Sequence, residues 1–208
     1  MSERIITHMD LDSFFVSVER IYNSALKERP IIIGGLSERG VVASCSYEAR
    51  SFGVHSAMPM KQARILCPDA VFIRGDSQKY SEYSHMVTEI IAETVPLYEK
   101  SSIDEFYIDL TGMERFFGSW QLSQKIKERI KKETGLPISF GLSTNKTVSK
   151  VATGVAKPAG QRQVEKGLEK NFLSPLSVRS LPGVGRTTYK TLRNLGIQYI
   201  KTLQEIPR

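Results

Sequence analysis

Cysteine and tryptophan are nearly missing from this chain, with two of the first and one of the second among 208 residues. Cys45 and Cys67 are too few for a disulfide framework, and neither belongs to a C-x-x-C pair that would suggest zinc or thiol-redox chemistry. No apolar run approaches the ~18 residues that a membrane span needs. The chain reaches Asp10 and Asp12 before any apolar stretch of signal-peptide length. Internal repeats and low-complexity tracts are missing as well. A reduced, cytoplasmic protein with no membrane partner is the expectation, long enough for one main core plus a small appendage.

Acidic residues are scarce in the second half. Residues 1–110 carry 11 Lys+Arg against 16 Asp+Glu, a balance of −5, and residues 111–208 carry 18 against 6, a balance of +12. The sum is +7, with a pI near 9.4. A basic half of this kind fits a polyanionic partner, because Lys and Arg that neutralise phosphates release counterions whatever the base sequence. The competing reading is a basic solvated surface.

Hydrophobic periodicity predicts a strand over Ile5–Leu11 that feeds directly into an amphipathic helix, Phe14–Tyr22, with Asp12 and Ser13 at its cap. Short strands are expected over 29–34 and 40–43, around the turn-rich loop from Gly34 to Gly40. Helices follow over 47–52, 59–66 and 78–95. A strand over 102–110 has Phe106, Ile108 and Leu110 on one face. A helix from about Trp120 to Glu133, a strand over 138–143 and a helix over 146–156 come next. Lys157-Pro158-Ala159-Gly160 then breaks the pattern as a candidate domain boundary. Beyond it, Leu181-Pro182-Gly183-Val184-Gly185 lies between two helical stretches, the second closed by Gly196.

Three acids fall at strand ends: Asp10, and the pair Asp104-Glu105 after the turn-prone Ser101-Ser102. Hard cations such as Mg²⁺ take oxygen ligands, typically one or two carboxylates plus substrate phosphates. Two ions about 3.5–4 Å apart polarise both the attacking and the leaving oxygen of a phosphoryl displacement. Neighbours on an ideal strand face opposite ways, so Asp104 and Glu105 share a site only if a hairpin tip turns them. Taken singly, each acid has an ordinary structural role open to it, as Asp12 has in capping and Asp109 on a solvent-facing strand.

The octet His8-Met9-Asp10-Leu11-Asp12-Ser13-Phe14-Phe15 resembles the opening of Y-family translesion DNA polymerases, the DNA polymerase IV branch in particular. Four more blocks follow in the same order: 43–54 (ASCSYEARSFGV), 102–109 (SIDEFYID), 140–146 (FGLSTNK) and 156–160 (AKPAG). Five blocks at consistent spacing, followed by the Leu-Pro-Gly-Val-Gly turn, cover essentially the whole chain.

The resemblance implies an α+β polymerase core. Its palm is a mostly antiparallel sheet flanked by helices (1–12 and 77–165), with a small fingers insertion (13–76) and a partial helical thumb containing a helix-hairpin-helix (166–208). It implies that Asp10, Asp104 and Glu105, with the Leu11 carbonyl, hold two Mg²⁺ ions, for which Mn²⁺ could substitute. Tyr47 and Arg50, three apart on a helix, would reach the triphosphate of a deoxynucleotide, with Arg50 as a fork and Lys157 as a point charge. Ser44 would sit in the same pocket. Phe15 would fill the space of a ribose 2′-hydroxyl, with Phe14 packed beside it. Gly183, Val184, Gly185 and Arg186 would receive a phosphate of primer-template DNA, and Lys190 and Arg193 follow at helical spacing.

Relatives of this kind continue past Glu205-Ile206-Pro207-Arg208 into a little-finger domain absent here, so a truncated monomeric core is expected. A sliding clamp would be bound through that missing region. Two other classes are open to the residues. A nucleotide cyclase shares the paired metals but has no need of the glycine hairpin or the +12 half. A non-catalytic helix-hairpin-helix DNA-binding protein leaves the three acids without a purpose.

Overall fold

The computed structural model describes residues 4–37, 39–113 and 118–207. Glu38, in the loop expected between Gly34 and Gly40, and Arg208 lie outside them. In chain order the strands are β1 (Ile6–Leu11), β2 (Ile31–Gly34), β3 (Val42–Cys45), β4 (Val71–Ile73), β5 (Tyr98–Lys100), β6 (Glu105–Asp109), β7 (Ile138–Ser143) and β8 (Gln161–Gln163). The helices are α1 (Phe14–Tyr22), α2 (Tyr47–Ser51), α3 (Met60–Leu66), α4 (Ser77–Thr94), α5 (Ser119–Thr134), α6 (Lys146–Ala156), α7 (Glu169–Leu173), α8 (Arg186–Asn194) and α9 (Ile200–Glu205). The architecture is the expected α+β class. Among the described residues no helix is long and apolar enough to cross a membrane.

The chain divides into two compact units, one of residues 1–10, 90–129 and 138–208, the other of residues 11–89 and 130–137. The first holds a five-stranded sheet in the order β5-β6-β1-β7-β8. β6 pairs antiparallel with both β1 and β5, and β8 joins β7 in parallel. β7 is buried along its whole length, and Phe106, Ile108 and Leu110 are fully buried as their alternation predicted. β8 corrects one expectation. The Lys157–Gly160 break is a turn inside the sheet, after which the chain returns to the edge beside β7, so it does not separate domains.

Helix α6 lies against β7 because Gly141 has no side chain. A Cβ there would come within 2.3 Å of the Ser149 carbonyl oxygen and 2.5 Å of the Thr153 nitrogen. Asn145 caps the helix by accepting from the Val148 N–H at 3.0 Å, and Ser149 donates to the Ile6 carbonyl at 2.8 Å. Val148 and Ala152 then pack with Val164 and Phe172.

In the second unit a three-stranded sheet, β3-β2-β4, is built around an apolar strand buried on both faces. Ile31 and Ile33 pack with Val16 and Leu26, whereas Ile32 faces the other way onto Val42, Cys45, Ala49 and Met60. Each such isoleucine contributes roughly 1.5–3 kcal/mol on burial. The two cysteines are free and buried. One local expectation fails at the start of α1. Ser13 occupies the cap position at φ 44, ψ 49, and its side chain makes no cap hydrogen bond.

The close approach of α6 to β7 yields a prediction. Gly141→Ala forces helix backbone away from the strand and should destabilise the chain by about 1–3 kcal/mol, measured as a lowered urea midpoint with unchanged slope. A midpoint equal to the parent's would show that the approach is not a constraint.

Candidate functional site

The antiparallel register of β1 and β6 places Asp10 directly opposite Glu105. Asp104 sits one residue earlier, in the turn that closes the β5–β6 hairpin. That turn is tied by the Ser101 and Ser102 N–H groups, which donate to the Glu105 carbonyl at 3.0 and 3.4 Å. The Ser102 hydroxyl donates to Asp104 Oδ1 at 2.6 Å. The serine pair therefore makes the hairpin tip that the sequence required. Among the described residues, no three His, Cys, Asp or Glu side chains are gathered tightly enough to cage a metal by themselves.

Two lysines stand over the acids. Lys157 is ion-paired with Asp10, and Lys150 Nζ donates to Glu105 Oε2 at 2.7 Å. Burial raises the Asp10 carboxyl to about 7, Lys157 works against that rise, and the negative charges of Asp104 and Glu105 add to it. Burial also opposes ionisation of Glu105, yet the hydrogen bond and charge of Lys150 hold its carboxyl below the ordinary value, helped by His8 and Asp10. The negative charges of Asp104 and Glu105 thus both oppose ionisation of Asp10, which a cation beside it favours.

His8 is buried beneath this cluster. Its Nδ1 lies 2.9 Å from the Thr153 hydroxyl, and its Nε2 is 3.9 Å from Glu105 Oε1, too far for a hydrogen bond. Burial, reinforced by Lys150 and Lys157 against the pull of Glu105, lowers the imidazole to about 4, so it is neutral at neutral pH. A cleft of about 420 Å³ opens beside these residues, lined by His8, Asp10, Lys150, Gly154, Lys157 and the Ser180–Pro182 segment. Sequence reasoning missed Lys150, His8 and Thr153. The signal was present in the 4, 3, 4 spacing of Lys146, Lys150, Thr153 and Lys157 along one helical face.

In the other unit, Ser46 orders the start of α2. Its hydroxyl accepts from the Ile31 N–H at 3.0 Å and from the Ala49 N–H at 3.3 Å. Tyr47 then donates to Asp12 Oδ1 at 3.4 Å, and the Arg50 guanidinium lies over the Tyr47 ring at 4.7 Å. Ser44 is half-buried on β3, opposite Ile33. Leu11 is buried at the end of β1, one residue past Asp10. Phe14 is buried, while the half-buried Phe15 stacks on Tyr80 with ring centroids 4.2 Å apart and planes 12° from parallel. The Tyr80 hydroxyl donates to the buried Glu19 carboxylate at 2.7 Å. Burial and that carboxylate push the phenol above its ordinary pKa. Tyr80 also went unnoticed in the sequence, where it reads as one more apolar position of α4.

The glycine turn differs in detail from expectation. The segment before it is a single 3₁₀ turn, Val178–Ser180, in place of a full helix. Gly183 adopts φ 83, and the Val184 and Gly185 N–H groups are already turned to the Leu181 and Gly183 carbonyls. The first intrahelical bond of α8 runs from Tyr189 to Gly185, so the amides of Arg186, Thr187 and Thr188 precede it. Arg186, Lys190 and Arg193 are exposed.

The impB/mucB/samB family matches residues 9–154, a stretch that holds all three acids and most of α6. The chain belongs to that family. DNA polymerase IV of Dehalococcoides mccartyi is 45% identical across 100% of this chain and 54% of its own length. That of Treponema denticola is 44% identical over 94% of this chain and 50% of its own. The chain spans about half the length of the curated relatives it matches. Among solved structures, DinB from Sulfolobus solfataricus superposes with a TM-score of 0.90 at 29% identity, over 98% of this chain and 60% of that one. An insertion ternary complex of Dbh DNA polymerase gives 0.88 at 29%, over 98% and 61%. The Y-family resemblance carried by the five sequence blocks is borne out in this impB/mucB/samB core.

The Tyr80 contact generates a prediction for the core. Tyr80→Phe keeps the ring under Phe15 but leaves Glu19 without that donor, and should lower stability by about 1–3 kcal/mol in urea unfolding. No change in midpoint would mean that water replaces the phenol.

Proposed function

We propose that this chain carries the nucleotidyl-transfer core of a template-directed, lesion-bypassing DNA polymerase. The observation that supports it most is Asp10 facing Glu105 across β1 and β6, with Asp104 on the adjoining turn and a lysine on each facing acid. An all-oxygen set of this kind suits hard divalent cations. Asp10, Asp104 and Glu105, with the Leu11 carbonyl, would hold two Mg²⁺, for which Mn²⁺ could substitute. When bound, such ions supply Lewis-acid stabilisation of the oxygens around the phosphorus under attack.

The chain's own residues do the rest. Lys157 would exchange Asp10 for the phosphates of a deoxynucleoside triphosphate, which frees that carboxylate as the nucleotide arrives. Tyr47 and Arg50, stacked on each other, would fix the triphosphate, Arg50 as a planar fork and Tyr47 through its hydroxyl. Ser44 would line the same pocket. Phe15, braced from behind by Tyr80, would stand against the sugar and refuse a 2′-hydroxyl, while Phe14 anchors the turn of helix that presents it. The amides of Arg186, Thr187 and Thr188 that open α8, presented by the Gly183-Val184-Gly185 turn, would meet a phosphate of the primer-template duplex. Such contacts read no base sequence, in keeping with copying whatever template is presented. A monomeric cytoplasmic protein fits this role, with a sliding clamp as a further partner.

Primer extension with Mg²⁺ and four deoxynucleotides should succeed with the parent and fall by at least about 10³-fold in the Asp104→Ala, Glu105→Ala double variant. Equal extension by both would remove the acids from the chemistry. Phe15→Ala should raise ribonucleotide relative to deoxynucleotide incorporation while the circular dichroism spectrum stays native. An unchanged ratio would take Phe15 away from the sugar.

A further inference from the structure

Lys150 belongs to no motif that the proposed reaction uses, yet its ammonium is in direct hydrogen-bonding contact with Glu105 Oε2 at 2.7 Å. It is one of three lysines on a single face of α6 and the residue just past it. Each meets a carboxylate: Lys146 meets Glu99, Lys150 meets Glu105 and Lys157 meets Asp10. Two of those carboxylates are the proposed metal ligands. Lys157 has a second destination in the phosphates of a nucleotide. Lys150 has none in that reaction, and its side chain is one-third exposed against one-fifth for Glu105. An ammonium and a divalent cation compete for the same oxygen lone pairs, and two cations on one carboxylate repel.

We propose that Lys150 is a built-in counter-ion of the metal site, holding Glu105 in place in the metal-free chain and setting metal affinity by competing for its carboxylate. This rests on the metal reading of Asp10, Asp104 and Glu105 given above. Lys150 is a positioning residue: it acts on the site through Glu105. With the metal absent, removing its charge leaves three neighbouring acids with one cation fewer, so the fold is strained. With the metal bound, the same removal takes away a competitor. The two effects have opposite signs, which a lysine with a merely structural role does not produce.

Mn²⁺ binding measured by calorimetry, together with thermal unfolding in chelator and in saturating Mn²⁺, tests this on the whole chain. Lys150→Met, which keeps an unbranched stem without the charge, should bind Mn²⁺ about three- to tenfold more tightly. It should unfold at lower temperature than the parent in chelator, and recover most of that loss when Mn²⁺ saturates. Lys150→Arg should restore the parent's affinity, and Lys146→Met, whose partner Glu99 is outside the acid cluster, should leave affinity unchanged. Equal or weaker Mn²⁺ binding by Lys150→Met, or the same loss of Tm with and without the ion, overturns the proposal. If the parent takes up no Mn²⁺, the metal reading itself fails and this inference falls with it. Binding by the parent that vanishes in the Asp104→Ala, Glu105→Ala variant, without any tightening in Lys150→Met, refutes the competition alone.

Discussion

Two carboxylates facing each other across an antiparallel ladder repel, and burial makes the repulsion worse by stripping away the water that would screen it. Asp10 and Glu105 stand in that relation, with Asp104 adding a third negative charge from the turn. What makes the arrangement stable is a pair of ammonium groups delivered by one helix and the residue after it, Lys150 and Lys157. The position of α6 in turn depends on the missing side chain of Gly141 and on the hydrogen bond from Ser149 to the Ile6 carbonyl. A glycine in the middle of a strand thus governs the electrostatics of a site several residues away.

The polar support under the cluster follows the same logic. His8 is neutral because burial and two nearby lysines oppose its protonation. A charged imidazole at that point would add a third cation beneath acids already matched by two. Thr153, one turn from Lys150 and one turn from Lys157, holds the ring, so the face of α6 that carries the charges also carries the group that orients their neighbour.

The second unit solves a different problem, holding aromatic and guanidinium groups in fixed orientations near its surface. Phe15 is only half-buried, but its ring lies flat on Tyr80, and Tyr80 is tied to Glu19. Arg50 lies over Tyr47, which reaches Asp12. In each case a residue at the surface is held by a stacked ring whose hydroxyl is anchored to a carboxylate. The ordering cost of an exposed side chain falls when its partner is already rigid. The basic character of the last hundred residues appears on α8 in a different form, as the exposed side chains of Arg186, Lys190 and Arg193.

Much of this was legible in the linear chain. The period-2 alternation of β6, the 3.6-residue period of α4 and α6, and the turn residues Ser101-Ser102 each encode local structure, because they act through neighbours a few residues apart. The identities of Asp10, Asp104 and Glu105 and their places at strand ends were likewise readable, as was the family, from the order of five short blocks. Strands β4, β5 and β8 were not. Three residues are too few to show a period; β4 forms by pairing with a strand about 40 residues away, β8 by returning after a break, and β5 only as the short partner of β6 in a hairpin. The partners of the acids were hidden for the same reason. Which lysine meets which carboxylate, and which ring lies behind Phe15, depend on segments about 45 to 150 residues apart being brought together by packing. Sequence alone therefore determined the chemical groups and the local elements that carry them. Tertiary packing decided which charges neutralise which, because electrostatic pairing depends on distance in space and the chain encodes only distance along itself.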